Sequence, residues 1–281
     1  MQPSSPPVCF LFDNGSLRAE PALALRRVAA ALAGRTGREV RAVSLQHSDR
    51  VAPDQLGGMP AELLEPALEK FLSARPDGAA DLLPLFFGPS AAVTELAAGQ
   101  ARALLAKSPH AALRFAPCLV DAADPSDRRV AQMLADHTRA AARAVGWARP
   151  KVLLTDHGSP TRAVTAVRDH LTAQLRAELG DDAAAVGAAA MERRDGAEYD
   201  FNEPLLARAL RAGPSSSGEV VVALQFLLPG RHAGPDGDLA EICRAAEAEC
   251  PGLRTRLTEP IGAHPLLVEV LADRLAAPRA L

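Results

Sequence analysis

A short stretch near the start of the chain returns near its middle. Phe12-Asp13-Asn14-Gly15-Ser16 recurs in character and order as Thr155-Asp156-His157-Gly158-Ser159, 143 positions on from Asn14 to His157. Leu85-Phe86-Phe87-Gly88-Pro89-Ser90 is echoed by Leu227-Leu228-Pro229-Gly230-Arg231-His232, 142 positions on from Ser90 to His232. The run Val130–Asp136 is echoed by Val268–Asp273. Three matches in one order, the first two at almost one spacing, indicate duplication of a single unit. Two copies of about 140 residues each are ordinary domain sizes. The join falls near Gly146–Pro150, so the expected domains are 1–147 and 148–281.

Inside each copy, apolar runs alternate with helical periodicity. Val8–Phe12, Val40–Leu45, Leu82–Phe87 and Leu113–Cys118 read as strands. Pro21–Ala33, Pro60–Ala74, Ala91–Lys107 and Ser126–Val145 read as helices, with leucine and alanine at helical spacing. In the second copy Lys151–Thr155, Val186–Met191 and Glu219–Leu228 read as strands, and a helix starts at about Thr161. This alternation implies βαβ units. The expected fold is α/β: two lobes related by internal duplication, each a mainly parallel sheet with helices on both faces.

The stretch KVLLTDHGSPTR, Lys151–Arg162, carries the first chemical signal. Its apolar run breaks at Gly158, which puts His157 at the carboxyl end of a strand, where open α/β sheets bind ligands. One His in such a turn is an ordinary turn residue. A second strand ends in Pro229-Gly230-Arg231-His232, and neighbouring parallel strands bring both imidazoles to one rim. Glu192, following Val186–Met191, falls on the same rim. The first copy has Asn14 and Ser90 at the two His positions, and Gln46-His47 near the Glu192 position, so both imidazoles belong to one copy alone. Asn202 or Asp200 reads as a helix cap.

Composition excludes several classes. Hydrophobic residues at 48% and charged residues at 23% are globular values, so a disordered chain is not expected. A net charge of −3 gives no electrostatic footprint for nucleic acid. The first residues, MQPSSPPVCFLF, make a poor signal peptide. No apolar stretch is long enough for a bilayer. A cytoplasmic protein without nucleic-acid or membrane partners is the expectation. Cys9, Cys118, Cys243 and Cys250 contain no CxxC pair and read as free thiols.

DHGS after the first strand of the second copy, Met191-Glu192-Arg193-Arg194 after the second, PGRHAGPDGD after the third and IGAHPLLVEVLADR near the end together resemble the class II tetrapyrrole metal chelatases. The nearest resemblance is to the sirohydrochlorin cobalto- and ferrochelatases. It is strongest over Lys151–Leu275 and positional over Val8–Asp136. It implies two chelatase-like lobes facing each other across a cleft, in a monomer with pseudo-twofold lobes or a weak homodimer. It implies insertion of Co²⁺, Fe²⁺ or Ni²⁺ into sirohydrochlorin or a similar macrocycle, for cobalamin or siroheme, with the metal as substrate and no organic cofactor. His157, Glu192 and His232 then carry catalysis and handle the metal. Arg162, Arg193, Arg194 and Arg231 stand near the rim as partners for the macrocycle's carboxylates. His264 is read as structural.

The residue types suit that chemistry. Neutral imidazole and carboxylate hold first-row ions without the grip of thiolate. Imidazole also accepts protons near neutral pH, as loss of two pyrrole N–H protons requires. Two other readings remain open: a carrier or regulatory protein that binds tetrapyrrole or metal without turnover, and a hydrolase using Ser159. The second lacks a G-x-S-x-G elbow. No G-x-G-x-x-G follows a strand to support nicotinamide binding.

Overall fold

A computed structural model describes residues 7–234 and 236–280. Met1–Pro6, within the stretch read as a poor signal peptide, and Pro235, within PGRHAGPDGD, lie outside the described residues. The elements are β1 Val8–Asp13, α1 Ala19–Thr36, β2 Val40–Ser44, β3 Glu62–Leu63, α2 Leu64–Ala74, β4 Ala79–Pro84, α3 Ala98–Lys107, β5 Ala112–Phe115, α4 Arg129–Ala144, β6 Lys151–Asp156, α5 Arg162–Leu179, β7 Ala185–Ala190, α6 Leu206–Ala209, β8 Gly218–Leu224, α7 Asp238–Glu249, β9 Leu253–Leu257, α8 Pro265–Ala276 and β10 Arg279–Ala280. The turn of chain before α3 is also helical, wound as a π-helix over Ala92–Ala97. No helix among the described residues is long and apolar enough to cross a membrane.

The first sheet runs β10-β5-β4-β1-β2-β3 and the second β7-β6-β8-β9. Setting β1 on β6, β2 on β7, β4 on β8 and β5 on β9 makes the shared strand orders identical. All of these shared strands pair in parallel, while β10 is an antiparallel addition to β5. In the second sheet Leu153, Val220, Val222 and Leu224 pack with Leu206, Leu210, Leu239 and Cys243 of α6 and α7. Val152, Leu154, Val221 and Ala223 alternate with them and are buried on the opposite face. In the first sheet Phe10, Phe12, Leu82 and Leu113 share a core with Leu68, Phe71 and Leu104 of α2 and α3.

The compact units do not follow the expected boundary at 147/148. One contains Met1–Val120 with Leu267–Leu281, the other Asp121–Leu266. The reason is that each copy's last helix completes the other unit. Helix α4 packs against α5 and β8, burying Val130, Met133, Leu134 and Thr138. Helix α8 is tied to the first unit by Arg274, which donates to the carbonyls of Cys118 and Leu119, and by the Glu269–Arg35 pair.

One matched pair is also corrected. Phe12 pairs with Pro84 where Thr155 pairs with Leu224, so the third strands correspond at a spacing of 140, not 142. The same spacing holds beyond the strands: Leu119 N–H donates to the Phe86 carbonyl as Ile261 N–H does to Phe226. Ser90 is therefore not the counterpart of His232. The first copy is already helical at Ala92, whereas in the second the next helix begins only at Asp238. The strand expected over Glu219–Leu228 stops at Leu224, as β4 stops at the matching Pro84, and past it Gln225 N–H makes one further bond to the Thr155 carbonyl.

Asp13 ends β1 almost wholly buried, its carboxylate accepting from Ser44 Oγ at 2.6 Å. Burial pushes its pKa up from 3.8 to about 6, against the pull of Ser44 and the Gly15 amide. The carboxyl is then ionised in the folded state at neutral pH at a cost of about 3 kcal/mol. Because the folded state takes up this proton first, the cost is present above about pH 6 and disappears as pH falls towards the unfolded value. Asp13→Asn should raise the unfolding free energy at pH 7 by about 2–3 kcal/mol, with the gain vanishing below about pH 4. Urea unfolding across that range reads the effect directly. A gain independent of pH would refute it.

Candidate active site

The site is built at the carboxyl end of β6. Past the strands, Met191 N–H donates to the Asp156 carbonyl at 2.8 Å and Glu192 N–H to the His157 carbonyl at 3.1 Å. This carries the β6–β7 pairing into both loops. Gly158 lies at φ 90°, and a Cβ there would sit well inside contact with the Glu192 carbonyl. Only glycine meets both demands. On its other side the loop is held by Asn202, which is fully buried. Its Oδ1 accepts from Ser159 N–H at 3.0 Å, and its Nδ2 donates to the Ser159 carbonyl at 3.0 Å and the Tyr199 carbonyl at 3.1 Å. Arg168, 2% exposed, donates to the Asn202 carbonyl. Asn202 is thus a clamp between two loops, not the helix cap that its position suggests.

The structure brings the two imidazoles together. The rings of His157 and His232 lie 4.9 Å apart between centroids, edge to face at 74°. Each ring is turned the same way. His157 Nδ1–H donates to the Gly158 carbonyl at 3.1 Å, and His232 Nδ1–H donates to Asp238 Oδ2 at 2.6 Å. These partners fix the tautomers and leave the Nε2 atoms of both rings as the ones available to a ligand. Glu192 Oε1 stands 3.4 Å from His157 Nε2. A lone pair and a carboxylate at that separation attract a cation between them, a proton or a metal ion. Among the described residues no three His, Cys, Asp or Glu side chains form a group able to hold a metal ion. The three-donor set of His157, His232 and Glu192 is therefore not assembled as a closed cage. What stands is a histidine pair with a carboxylate against one member.

The turn that carries His232 is pinned by α7. Asp238 N–H donates to the Arg231 carbonyl and Leu239 N–H to the His232 carbonyl. The helix N-terminus, rich in unpaired donors, holds the two peptide groups that flank the imidazole. Asp238 was not readable as a partner: six residues beyond His232, it looks only like the start of an apolar helix. Asp156, directly behind His157, is buried, and burial pushes its carboxyl up to about 6 against Arg168.

The four arginines have different surroundings. Arg193 is enclosed by Glu203 at 3.0 Å, Asp200 at 3.2 Å and the carbonyls of Arg194 and Gly196. Arg231 is exposed, its Nε 3.6 Å from Asp238. Arg162 lies over the ring of Phe201 and Arg194 over that of Tyr199. His264 accepts Leu266 N–H on Nδ1 at the first turn of α8 and faces Asp136 at 3.5 Å. Burial and the neighbouring His137 lower its pKa, so it stays an acceptor, in a capping role. All four cysteines are free, and burial pushes Cys9 and Cys118 up to about 12 and Cys243 up to about 11. Thiols so shifted are protonated at neutral pH. A cleft of about 380 Å³ runs between α7 and β9, but neither imidazole lines it.

Residues 151–277 match the CbiX family. Solved structures that share the fold include the following three. SirB from Bacillus subtilis with Fe³⁺ has a TM-score of 0.68 at 11% identity, over 96% of this chain and 94% of that one. The sirohydrochlorin chelatase SirB from Bacillus subtilis subspecies spizizenii in complex with cobalt has a TM-score of 0.65 at 11% identity, over 96% and 93%. CbiX, described as the terminal enzyme for biosynthesis of siroheme in denitrifying bacteria, has a TM-score of 0.60 at 20% identity, over 96% and 98%. No curated protein matches the sequence.

The glycine that joins the loops provides a test of this construction. Gly158→Ala should cost about 2–4 kcal/mol, from the clash and the backbone strain together. Gly99→Ala, at an open position in α3, should be neutral or stabilising by up to about 1 kcal/mol. Thermal unfolding of the two variants compares them, and equal stability would contradict the close approach.

Proposed function

We propose, from the match of residues 151–277 to the CbiX family and the α/β fold shared with solved chelatases, that the protein inserts a divalent metal into a sirohydrochlorin-type tetrapyrrole. The observation that carries the reading is the orientation of the histidines, with both Nδ1 atoms hydrogen-bonded within the chain, neither Nε2 hydrogen-bonded among the described residues, and that of His157 facing Glu192. Imidazole ligates a metal through one nitrogen while the other is held by a carbonyl or carboxylate. His157 and His232 fit that pattern as a pair.

Two imidazoles leave most of an ion's coordination sphere open, so the ion can pass to another set of nitrogens. Co²⁺ and Fe²⁺ suit such donors, and Ni²⁺ does too. As the ion enters the macrocycle, two pyrrole N–H protons leave. His157 and Glu192 receive them: the imidazole is freed as the metal departs, and Glu192 sits beside its Nε2. Asp238 holds His232 in the ligating tautomer and raises its basicity. The first copy, with Asn14 at the His157 position, has no imidazole there and supports no second centre.

The test is anaerobic incubation with sirohydrochlorin and Fe²⁺, Co²⁺ or Ni²⁺ in turn, followed by the macrocycle's absorption. Metal insertion should be abolished in His157→Ala and in His232→Ala, with the fold intact because both lie on loops. Glu192→Gln should slow insertion about 10- to 100-fold, in the range for loss of a proton-transfer group, while leaving macrocycle binding unchanged. Stoichiometric binding with no insertion by the wild-type protein would instead favour a carrier.

A second outcome concerns the first copy. Asn14→Ala should leave the insertion rate within about twofold of wild type, since surface changes away from a site have small effects. A loss comparable to that of His157→Ala, in a folded protein, would contradict placing the reaction in the second copy alone.

A further inference from the structure

Two of the rim arginines are held in a way that leaves them free to bind. The Arg162 guanidinium carbon sits 4.4 Å from the centroid of Phe201, and its one hydrogen bond is a long one, 3.5 Å to the Glu198 carbonyl. The Arg194 guanidinium carbon sits 5.9 Å from the centroid of Tyr199. Its guanidinium makes no hydrogen bond or ion pair among the described residues. An aromatic face steadies a guanidinium through the ring quadrupole without using its in-plane N–H donors. By contrast, Arg193 is enclosed by two carboxylates and two carbonyls, and Arg231 faces the carboxylate that holds His232.

The rings themselves are unusual for this chain. Aromatic residues are 4% of the sequence and Tyr199 is its single tyrosine. Yet Tyr199 and Phe201 stand together, centroids 6.3 Å apart, on the loop that begins at Glu192. Asn202 ties that loop to Ser159, two residues from His157. Arg162 is the first residue of the long helix α5, whose N-terminal amides add positive potential. The acidic side chains nearby are partly accounted for. Asp200 pairs with Arg193, and the Glu198 carboxylate folds back over Gly196, while Asp195 is exposed.

We infer that Arg162 on Phe201 and Arg194 on Tyr199 form the docking face for the carboxylate rim of the macrocycle, an inference that rests on the tetrapyrrole reading above. The two guanidiniums take two carboxylates as bidentate, charge-assisted pairs. The aromatic rings set the planes of those guanidiniums in advance, and so hold the macrocycle edge in a fixed position relative to His157. Arg193 serves to fold the loop, not to touch the ligand.

The probe is uroporphyrin, a fluorescent porphyrin with carboxylate arms on every pyrrole ring, titrated into the full chain. Arg162→Gln and Arg194→Gln should each weaken its binding about tenfold, as loss of one charge-assisted pair predicts. Phe201→Leu and Tyr199→Leu, which keep the apolar bulk, should weaken it about threefold, the scale of one cation–π contact. Co²⁺ binding, followed by visible absorption, should be unchanged in all four variants. Arg102→Gln, removing the same charge from α3, should leave uroporphyrin binding as in wild type. Wild-type affinity in a folded Arg162→Gln, Arg194→Gln double variant would overturn the docking face alone. A wild-type chain that binds Co²⁺ but not uroporphyrin would overturn the tetrapyrrole reading, and the docking face with it.

Discussion

The close approach of Gly158 to the Glu192 carbonyl is the contact on which the site depends. Strand pairing alone would bring β6 and β7 together only as far as Asp156 and Ala190. With no side chain at Gly158, the pairing runs on for two more residues, and the loops bearing His157 and Glu192 become one layer. The first copy repeats the device. Gly15, also at φ 90°, packs on the Gln46 carbonyl, with Leu45 N–H donating to Asp13 and Gln46 N–H to Asn14. A backbone requirement explains why this glycine is common to both copies, while the side chains beside it differ.

The copies part in how they finish the loop. In the second, the Asn202 amide grips both the N–H and the carbonyl of Ser159. In the first, Ser48 Oγ accepts the Ser16 N–H instead, and His47 takes a φ of 69° as the chain turns to bring Ser48 inward. The larger difference follows the third shared strand. Helical winding from Ala92 closes the first copy early, whereas in the second the next helix starts only at Asp238, which leaves room for His232. The N-terminal amides of α7 then fix that turn and Asp238 fixes the ring.

The chemistry available to the site follows from which groups keep their lone pairs. Burial keeps the thiols of Cys9 and Cys243 protonated, so the imidazoles are the neutral donors that the site itself offers. The two imidazoles, each bonded inward through Nδ1, keep Nε2 as a ligand of intermediate strength. That is the character needed to hold an ion and release it. Phe201 and Tyr199 act in the same sense on the arginines: they orient without consuming donors.

The fold class, the duplication and the positions of His157, Glu192 and His232 after successive strands were legible in the chain alone, because local apolar periodicity and glycine breaks report directly on strand and turn. Sequence reading misplaced what depends on distant parts of the chain. The end of β8 was unreadable because Phe226–Leu228 is as apolar as the strand before it, and only the partners show the strand ending at Leu224, with one last bond from Gln225 N–H to the Thr155 carbonyl. The exchange of α4 and α8 between the compact units leaves no mark in a pattern that records which residues are buried but not against what. The roles of Asp238 and Asn202, the enclosure of Arg193 and the freedom of Arg162 and Arg194 were decided by tertiary structure alone. A side chain's hydrogen-bond partner is a matter of a few tenths of an ångström, and no spacing along the chain encodes it.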